Sequence, residues 1–545
     1  MQEFFNVINA INGVMLGVPM LLALLAVGLI FTVWTRFCQY RSLTHGVGLL
    51  TGRWTGSKGE GAISHFQALS AALSATVGLG NIAGVAIAVE LGGPGAVFWM
   101  WLIGLVGMAL KTTEVTLSML YRDTSDPNNP HGGTMWVAKR ALPELSGRLK
   151  QAGPIIGALF TLPLILFALT GGNMFQAWSV SDTTHAYFGV EPWISGVVLA
   201  VIVGLVILGG IRRIGLIAGT LVPLMCVIYV IAGLFVIFIN RDVVPEVLAL
   251  IFTSAFSPAE ATGAFVGASF GTAFIFGMKR ALFSSEAGLG SAPIAHSAVK
   301  TKEPVTEGVV AGLEPFIDTV VVCTITALVI LTSGVWQRDA QASFDQPPAM
   351  VETAAGWAPA VSTLPEGNWQ TGSQVFMVVE SDARRQRLFG TVEPEGIAWR
   401  PIAAAEPPRT VDAGLYADYT GATLTAKAFD SGADGLGKWM VTLAVWLFAI
   451  STIITWSYYG EQGVIYLVGS KGVMPYRAFW CLLIVVTCLG FIRTSAELDS
   501  ISTVALGFML AINLPIMLVL GHKMTQQYRD YFARIRSGEI RPNNG

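Results

Sequence analysis

An apolar stretch long enough to cross a bilayer is interrupted at its centre by Ser74-Ala75-Thr76-Val77-Gly78-Leu79-Gly80-Asn81-Ile82-Ala83-Gly84. A helix that only has to cross lipid gains nothing from three glycines, a threonine and an asparagine at mid-depth. Glycine lacks a Cβ and accepts non-helical dihedrals, so Gly78, Gly80 and Gly84 let the helix unwind. Unwound backbone is tolerated at that depth only where it is buried in protein or lines a watery cavity. Its freed amides can hold an anion and its freed carbonyls a cation, the usual design of a midplane binding site. The pattern predicts a transporter.

Composition agrees. Of 545 residues, 53% are hydrophobic and 12% charged, with a mean hydropathy of +0.61; soluble domains carry about 25% charged residues. A net charge of −2 without a basic tract argues against a nucleic-acid partner. The five cysteines stand singly in or beside apolar segments, as small buried hydrophobes do. The N-terminus lacks the basic start of a cleaved leader, so the first apolar run is expected to be a retained membrane helix.

About 20 apolar residues cross a bilayer core. Spans are expected near 14–36, 66–91, 95–120, 154–178, 193–211, 215–240, 260–297, 308–336, 438–467, 474–493 and 499–521, eleven in all. The second and seventh are the interrupted ones. With the first set aside as an extra helix, ten remain as two groups of five (66–240, and a second starting at 260–336), each opening on a broken member. Paired breaks of this kind point to an inverted repeat with its site between the halves. Cytoplasmic loops collect Lys and Arg. Placing the N-terminus outside puts Arg36, Arg41, Arg53, Lys58, Arg122, Lys139, Arg140, Arg212, Arg213, Lys279, Arg280, Lys300, Lys302, Lys471, Arg477 and Lys523 on the inside. The outside loops carry Asp182, Glu191, Asp242, Glu246, Glu497 and Asp499. The C-terminus is then cytoplasmic, in an inner (plasma) membrane.

Residues 337–437 break the pattern, with 13 acidic and 7 basic residues. They divide the chain into a first membrane region over residues 1–336, an insertion over residues 337–437 and a second membrane region with its tail over residues 438–545. Stretches 374–380, 396–400 and 422–427 read as short strands between Gly, Pro and Asp punctuation. A small β-rich extracytoplasmic insertion is expected, acting as a lid or docking module.

Several motifs together resemble the alanine or glycine–cation symporters, within the amino acid-polyamine-organocation superfamily. They are Ser64-His-Phe-Gln-Ala-Leu-Ser70 running into Ala75–Gly84, Leu91-Gly-Gly-Pro-Gly-Ala-Val-Phe-Trp-Met-Trp101, Lys279-Arg-Ala-Leu-Phe-Ser-Ser-Glu-Ala-Gly-Leu-Gly-Ser-Ala-Pro-Ile-Ala-His296 and Thr455-Trp-Ser-Tyr-Tyr-Gly-Glu461. The likeness covers nearly the whole chain outside the insertion. It departs at Ser285, where many members carry Asn, and in the length of the insertion. It implies an all-α membrane protein of the leucine-transporter fold, with 5+5 inverted repeats, taking up an amino acid with sodium.

By the resemblance, the amides of Leu79 and Gly80 receive the substrate carboxylate and the Thr76 carbonyl faces its amino group, with Asn81 in the same break. Carbonyls near Ser74 and Val77 face sodium, completed by the hydroxyls of Ser451 and Thr452; hard cations prefer oxygen ligands. Asn173 and Gln176, three apart, are amides able to bind either end of an amino acid. The second break is expected near Gly277, with Phe274, Phe276, Met278 and Trp456 as walls leaving room for little more than a methyl group. Glu114, Glu286, Asp318 and Glu461 are intramembrane charges, which generally face partners or water. Lys111 precedes Glu114 by one turn, and Lys279 or Arg280 could pair with Glu286 as an inner gate. His65 and His296 sit in the motifs without a role that position alone assigns.

The expected function is sodium-coupled uptake of alanine or glycine by alternating access. Rivals are the same machine carrying serine or glutamine, a proton-coupled carrier, and, least of all, a membrane sensor or enzyme. No catalytic cluster is present, and no Gly-x-x-x-x-Gly-Lys-Ser/Thr loop suggests ATP. The expected partners are a small neutral amino acid, sodium and the lipid bilayer.

Overall fold

Ser64 starts the first interrupted span. Its side chain accepts from the Gln67 amide while the Gln67 side chain accepts from the Ser64 amide, a reciprocal cap that satisfies two orphan donors. The computed structural model describes residues 2–54, 59–259, 265–367, 369–381, 384–491 and 495–543. Lys58, residues 260–264 at the expected start of the seventh span, residues 492–493 at the end of the tenth and the side chain of Glu497 lie outside what is described.

Helices stand at each of the eleven expected places. We label them α1 (Val7–Trp34), α2 (His65–Thr76) with α3 (Gly80–Gly92), α4 (Gly95–Tyr121), α5 (Ala152–Phe188), α6 (Pro192–Ile207), α7 (Gly210–Ile239), α8 (Phe270–Ser285) with α9 (Ala292–His296), and α10 (Pro304–Thr332). After the insertion, whose own helix is α11 (Ala422–Asp430), come α12 (Leu436–Val468), α13 (Ser470–Phe491) and α14 (Leu498–Arg536). Among the described residues, eight are long and apolar enough to cross a membrane, and α2 with α3 makes a ninth across a 54° bend. The 16-residue α6 falls short of that length, and α8 and α9 are two pieces.

The two breaks have different local causes. α2 ends at Val77, whose backbone is extended (φ −75°, ψ 91°). The side-chain carbonyl of Asn81 then accepts from the freed Gly78 amide at 2.8 Å. α8 ends at Glu286 in the left-handed region (φ 52°), followed by Gly288 (φ 83°) and Gly290 (φ 78°). A non-glycine residue held there is uncommon and clusters at functional sites. The second break is therefore at 286–291, not near Gly277. Gly277 lies inside α8, where a Cβ would meet Trp99 Cβ at 2.9 Å; its small size serves close helix packing.

Among its described residues the insertion carries eight strands: β1 (Ala342–Ser343), β2 (Met350–Thr353), β3 (Gly356–Pro359), β4 (Gln374–Ser381), β5 (Arg384–Glu393), β6 (Gly396–Trp399), β7 (Arg409–Thr410) and β8 (Gly414–Ala417). β1-β8-β4-β5-β6 form the main path of a sheet, with β7 also on β4, and β2 pairs with β3. The third expected strand, 422–427, instead falls within α11. Its Thr/Leu alternation reads as period two, but Leu424, Ala428 and Phe429 are buried together, the i, i+4, i+5 pattern of a helix face. Thr425 Oγ1 donates to the Ile82 carbonyl at 3.1 Å, so α11 rests on the first interrupted span. At the far end of that span, Glu90 receives Arg338 at 2.9 Å and also Arg387 of β5.

Candidate functional site

A small cavity, with free space of about 10 Å³, lies between the two breaks. Its lining comes from the first break (Ala75, Thr76, Gly78, Leu79, Gly80), from α5 (Phe167, Gly171, Gln176), from the end of α8 (Phe283, Glu286) and from α12 (Thr452, Trp456). Of the residues expected around a substrate, the structure thus brings Thr76, Leu79, Gly80, Gln176 and Trp456 to one place. Gln176 Nε2 donates to the Gly171 carbonyl at 3.1 Å while its Oε1 is buried without a hydrogen-bond partner. A buried unpaired acceptor is costly, and an ammonium group entering the cavity would satisfy it. The Trp456 ring lies tilted against Phe167, with ring centroids 4.6 Å apart, and its Cβ packs on Gly172.

Other expected residues lie elsewhere. Asn81 is fully buried and donates to Asp318 Oδ1 at 2.6 Å and Ser284 Oγ at 3.2 Å; it fastens the break rather than facing the cavity. Asn173 donates to the Trp480 carbonyl on α13 at 3.1 Å. It parts from Gln176 because Thr170–Met174 is wound as a wide π-type turn, which cancels the i, i+3 facing of a regular helix. Phe274 packs on the Trp99 ring at 5.0 Å, Phe276 lies against Gly92, and Met278 is wholly buried. With the break displaced to Glu286, the wall falls at Phe283, and Phe274–Met278 stay within helix packing.

Of the residues expected around sodium, Ser74, Ser451 and Thr452 meet. Thr452 Oγ1 donates to the Ser74 carbonyl at 3.1 Å, Ser451 Oγ reaches the same carbonyl at 3.4 Å, and Ser74 Oγ donates to the Ser451 carbonyl at 2.6 Å. Val77 is fully buried at the adjoining break, and Thr452 Oγ1 also abuts Gly78.

The gate pairing differs from expectation. Arg280 lies 3.6 Å from Asp499 of α14. Both line a wider vestibule of about 350 Å³ with Asp182, Trp178 and Thr420–Thr423. Arg280, with the half-buried Lys279, is therefore on the insertion side, whereas Glu286 is one and a half turns deeper at the cavity and accepts from Ser291 Oγ at 2.6 Å. Leu79, Gly80 and Phe283 line both the vestibule and the cavity. Lys111 and Glu114 do pair, at 3.8 Å, and Glu461 is held by Arg477 at 2.7 Å.

Phe167, Gly171 and Phe283 were not foreseen. The signal was present in a second Gly-Leu-Gly, residues 288–290, matching Gly78-Leu79-Gly80 and marking the other break.

The family model described as "Sodium:alanine symporter family" matches residues 1–364 and 410–544, leaving 365–409, with β4 to β6, outside it. The chain is 36% identical to the sodium/alanine symporter AgcS of Methanococcus maripaludis, over 88% of each chain. It is 36% identical to the "Probable sodium/glutamine symporter GlnT" of Bacillus subtilis, over 62% of this chain and 67% of that one. Among solved structures, MhsT in complex with L-phenylalanine, a protein of the leucine-transporter fold, superposes with a TM-score of 0.51 at 11% identity, covering 85% of this chain and 89% of that one. The likeness to MhsT is one of fold.

Proposed function

The chain belongs to the sodium:alanine symporter family, a family of sodium-coupled amino acid symporters, and we propose that its cargo is alanine or glycine. The observation that carries this is the small cavity between two facing helix breaks, floored by backbone and walled by Phe167, Phe283 and Trp456. In this reading the amides of Leu79 and Gly80 receive the carboxylate. Gln176 Oε1, with the Thr76 carbonyl, receives the ammonium group, and three aromatic rings leave a side chain no longer than a methyl.

Sodium sits where Ser74, Val77, Ser451 and Thr452 converge. Those groups belong to a broken helix of one repeat and to α12 of the other, so the ion ties together two elements that must separate when access alternates. An ion can shift such an equilibrium only through unequal affinity for its two states; a site split between moving elements supplies that inequality. The cargo enters from the insertion side, which is the outside, and leaves toward a cytoplasmic C-terminus.

The test is uptake of labelled alanine into proteoliposomes under an inward sodium gradient, with choline replacing sodium as control. Accumulation that vanishes in choline supports the reading. Competition by glutamine or serine stronger than by glycine would reassign the cargo.

A further inference from the structure

A chain of buried ionisable groups runs beside the cavity and has no role in the function above. His65 Nδ1 meets Glu307, and the other oxygen of Glu307 meets His296 Nδ1. His296 Nε2 lies 2.5 Å from Glu314, whose second oxygen is 3.2 Å from Lys111 Nζ. Lys111 is 3.8 Å from Glu114, which accepts from the Gly290 amide at 3.0 Å and from Asn513 at 3.1 Å. The chain thus ends on the second break, the loop that carries Glu286. His65 is 16% exposed, while Glu307, His296, Glu314 and Lys111 are at 0%. Lys111 Nζ, Glu314 Oε2 and Glu114 Oε1 have no hydrogen-bond partner of good geometry.

Hydrogen-bond counting at His296 requires a bound proton. An ionised carboxylate only accepts, and a neutral imidazole offers one N–H and one lone pair. Between Glu307 and Glu314, a neutral His296 would satisfy one carboxylate and turn a lone pair on the other. The triad closes only with one proton more than a neutral histidine and two carboxylates bring. Imidazole is more basic than a carboxylate by about two pH units, so the proton resides on His296. The other charged or titratable groups facing the chain are Arg122, whose guanidinium donates to the carbonyls of Ser297, Val299 and Thr301, and Glu286, Asp318 and Tyr459, within electrostatic range of Lys111 or its carboxylates.

These groups sit on four separate elements: His65 on α2, His296 on α9, Glu307 and Glu314 on α10, and Lys111 with Glu114 on α4. His65 begins the span whose other end, Glu90, holds the insertion, so the chain closes the face opposite the insertion. Opening that face must separate some of these contacts. Once His296 leaves either carboxylate the extra proton is no longer required, and a free imidazole releases it near its ordinary value of about 6.5.

We propose that the Glu307–His296–Glu314 triad is a proton site, separate from the sodium site, filled through His65 when the face opposite the insertion closes and emptied to that face when it opens. Solvent supplies the proton to the His65 ring, Glu307 bridges the two rings, and His296 ends as imidazolium; opening returns one proton to water. The idea of an opening face rests on the alternating-access reading, but the bound proton does not.

Two measurements test it on the full-length protein. The first is ¹⁵N-histidine NMR in detergent at pH 7.5. A buried imidazolium is expected in the wild type, lost in His296→Asn and converted to a neutral ring in Glu314→Gln, where the amide can both donate and accept. No imidazolium, or one that survives in His296→Asn, overturns the proton site. The second is alanine exchange in proteoliposomes with sodium and alanine saturating on both sides. The wild-type rate should rise between pH 6.5 and 8.5 on the His65 face alone, by at most about tenfold per pH unit for a single proton. Glu314→Gln should flatten that slope, and a slope retained in Glu314→Gln overturns the linkage. An imidazolium without any alanine exchange leaves the proton site standing and overturns the proposed cargo. If the variants fail to fold, a wild-type rate indifferent to pH on both faces still refutes the linkage.

Discussion

Glu90→Gln should loosen the insertion from the helix bundle at least as much as Arg387→Met does, and the two effects should not add. Glu90 is 5% exposed, Arg338 1% and Arg387 9%, and both guanidiniums contact the same Glu90 oxygen. Removing the shared carboxylate leaves two buried cations facing a neutral amide. Breaking a buried pair from one side costs about 3–5 kcal/mol. Arg338 recovers some of that, since it donates to the Tyr419 carbonyl at 2.6 Å and lies 3.6 Å from Asp418, which places Glu90→Gln near 3 kcal/mol by the same scale. Arg387→Met keeps the Arg338–Glu90 contact and loses a charged hydrogen bond, about 1.5–3 kcal/mol. In the double variant Arg387 is no longer there to be stranded, so a coupling of about 1–2 kcal/mol is expected for groups in direct contact. Native-state proteolysis in detergent reads this, because cleavage tracks the open population when reclosing is fast. A cost of about 3 kcal/mol raises that population by roughly two orders of magnitude. Cleavage rates that combine additively, to within about 0.5 kcal/mol, would refute the shared-carboxylate clamp.

Other outcomes follow from the cavity and the insertion. Gly172→Ala would put a Cβ 2.5 Å from Cβ and Cγ of Trp456, an overpacking worth about 1–3 kcal/mol. Alanine KM should rise at unchanged expression, and an unaltered KM would contradict Trp456 as a cavity wall. Thr452→Ala should raise the sodium half-saturation while leaving the alanine-to-glycine preference intact, checked by sodium titration of uptake. Burial, opposed by the nearby Arg338, holds the Asp418 carboxyl above its ordinary range. A carboxyl raised on folding contributes stability that is complete below its unfolded value, about 3.9, and is lost as pH climbs through the folded one. Resistance of the insertion to proteolysis should therefore decline as pH rises above about 4, and Asp418→Asn should flatten the decline.

The first break was legible because glycine, hydroxyl and amide residues crowd into one apolar stretch. The second was harder to read because Gly277 and the Gly288-Leu289-Gly290 triplet both offered freedom from Cβ. Only the partners distinguish them: Gly277 faces another helix, while Gly288 and Gly290 take positive φ. Asn173 misled for a related reason, since spacing rules assume regular turns and the wide turn at Thr170–Met174 is invisible to them. The strand expected at 422–427 failed because alternation over six residues fits a helix face equally well when its neighbours at 428 and 429 are also apolar. Charge counting along loops placed Arg280 on the wrong side, because an arginine inside a broken span belongs to no loop. The hydroxyls Ser451 and Thr452 were found through family likeness alone; nothing in their local sequence separates them from hydroxyls that bond to their own helix, as Ser451 also does with the Phe448 carbonyl.

The cavity and the vestibule share a wall made by Leu79, Gly80 and the ring of Phe283, whereas the opposite face is sealed by the packed bodies of α2, α4, α9 and α10 and their ion pairs. The two exits therefore belong to different regimes of motion. A ring can swing aside by a change of side-chain rotamer, an event of nanoseconds when room exists; moving packed helices past each other takes microseconds to milliseconds. Cargo on the insertion side would come and go many times before the slower exit opens once. Binding from that side is then close to equilibrium, and throughput is governed by how often the thick side yields rather than by how tightly the cavity holds.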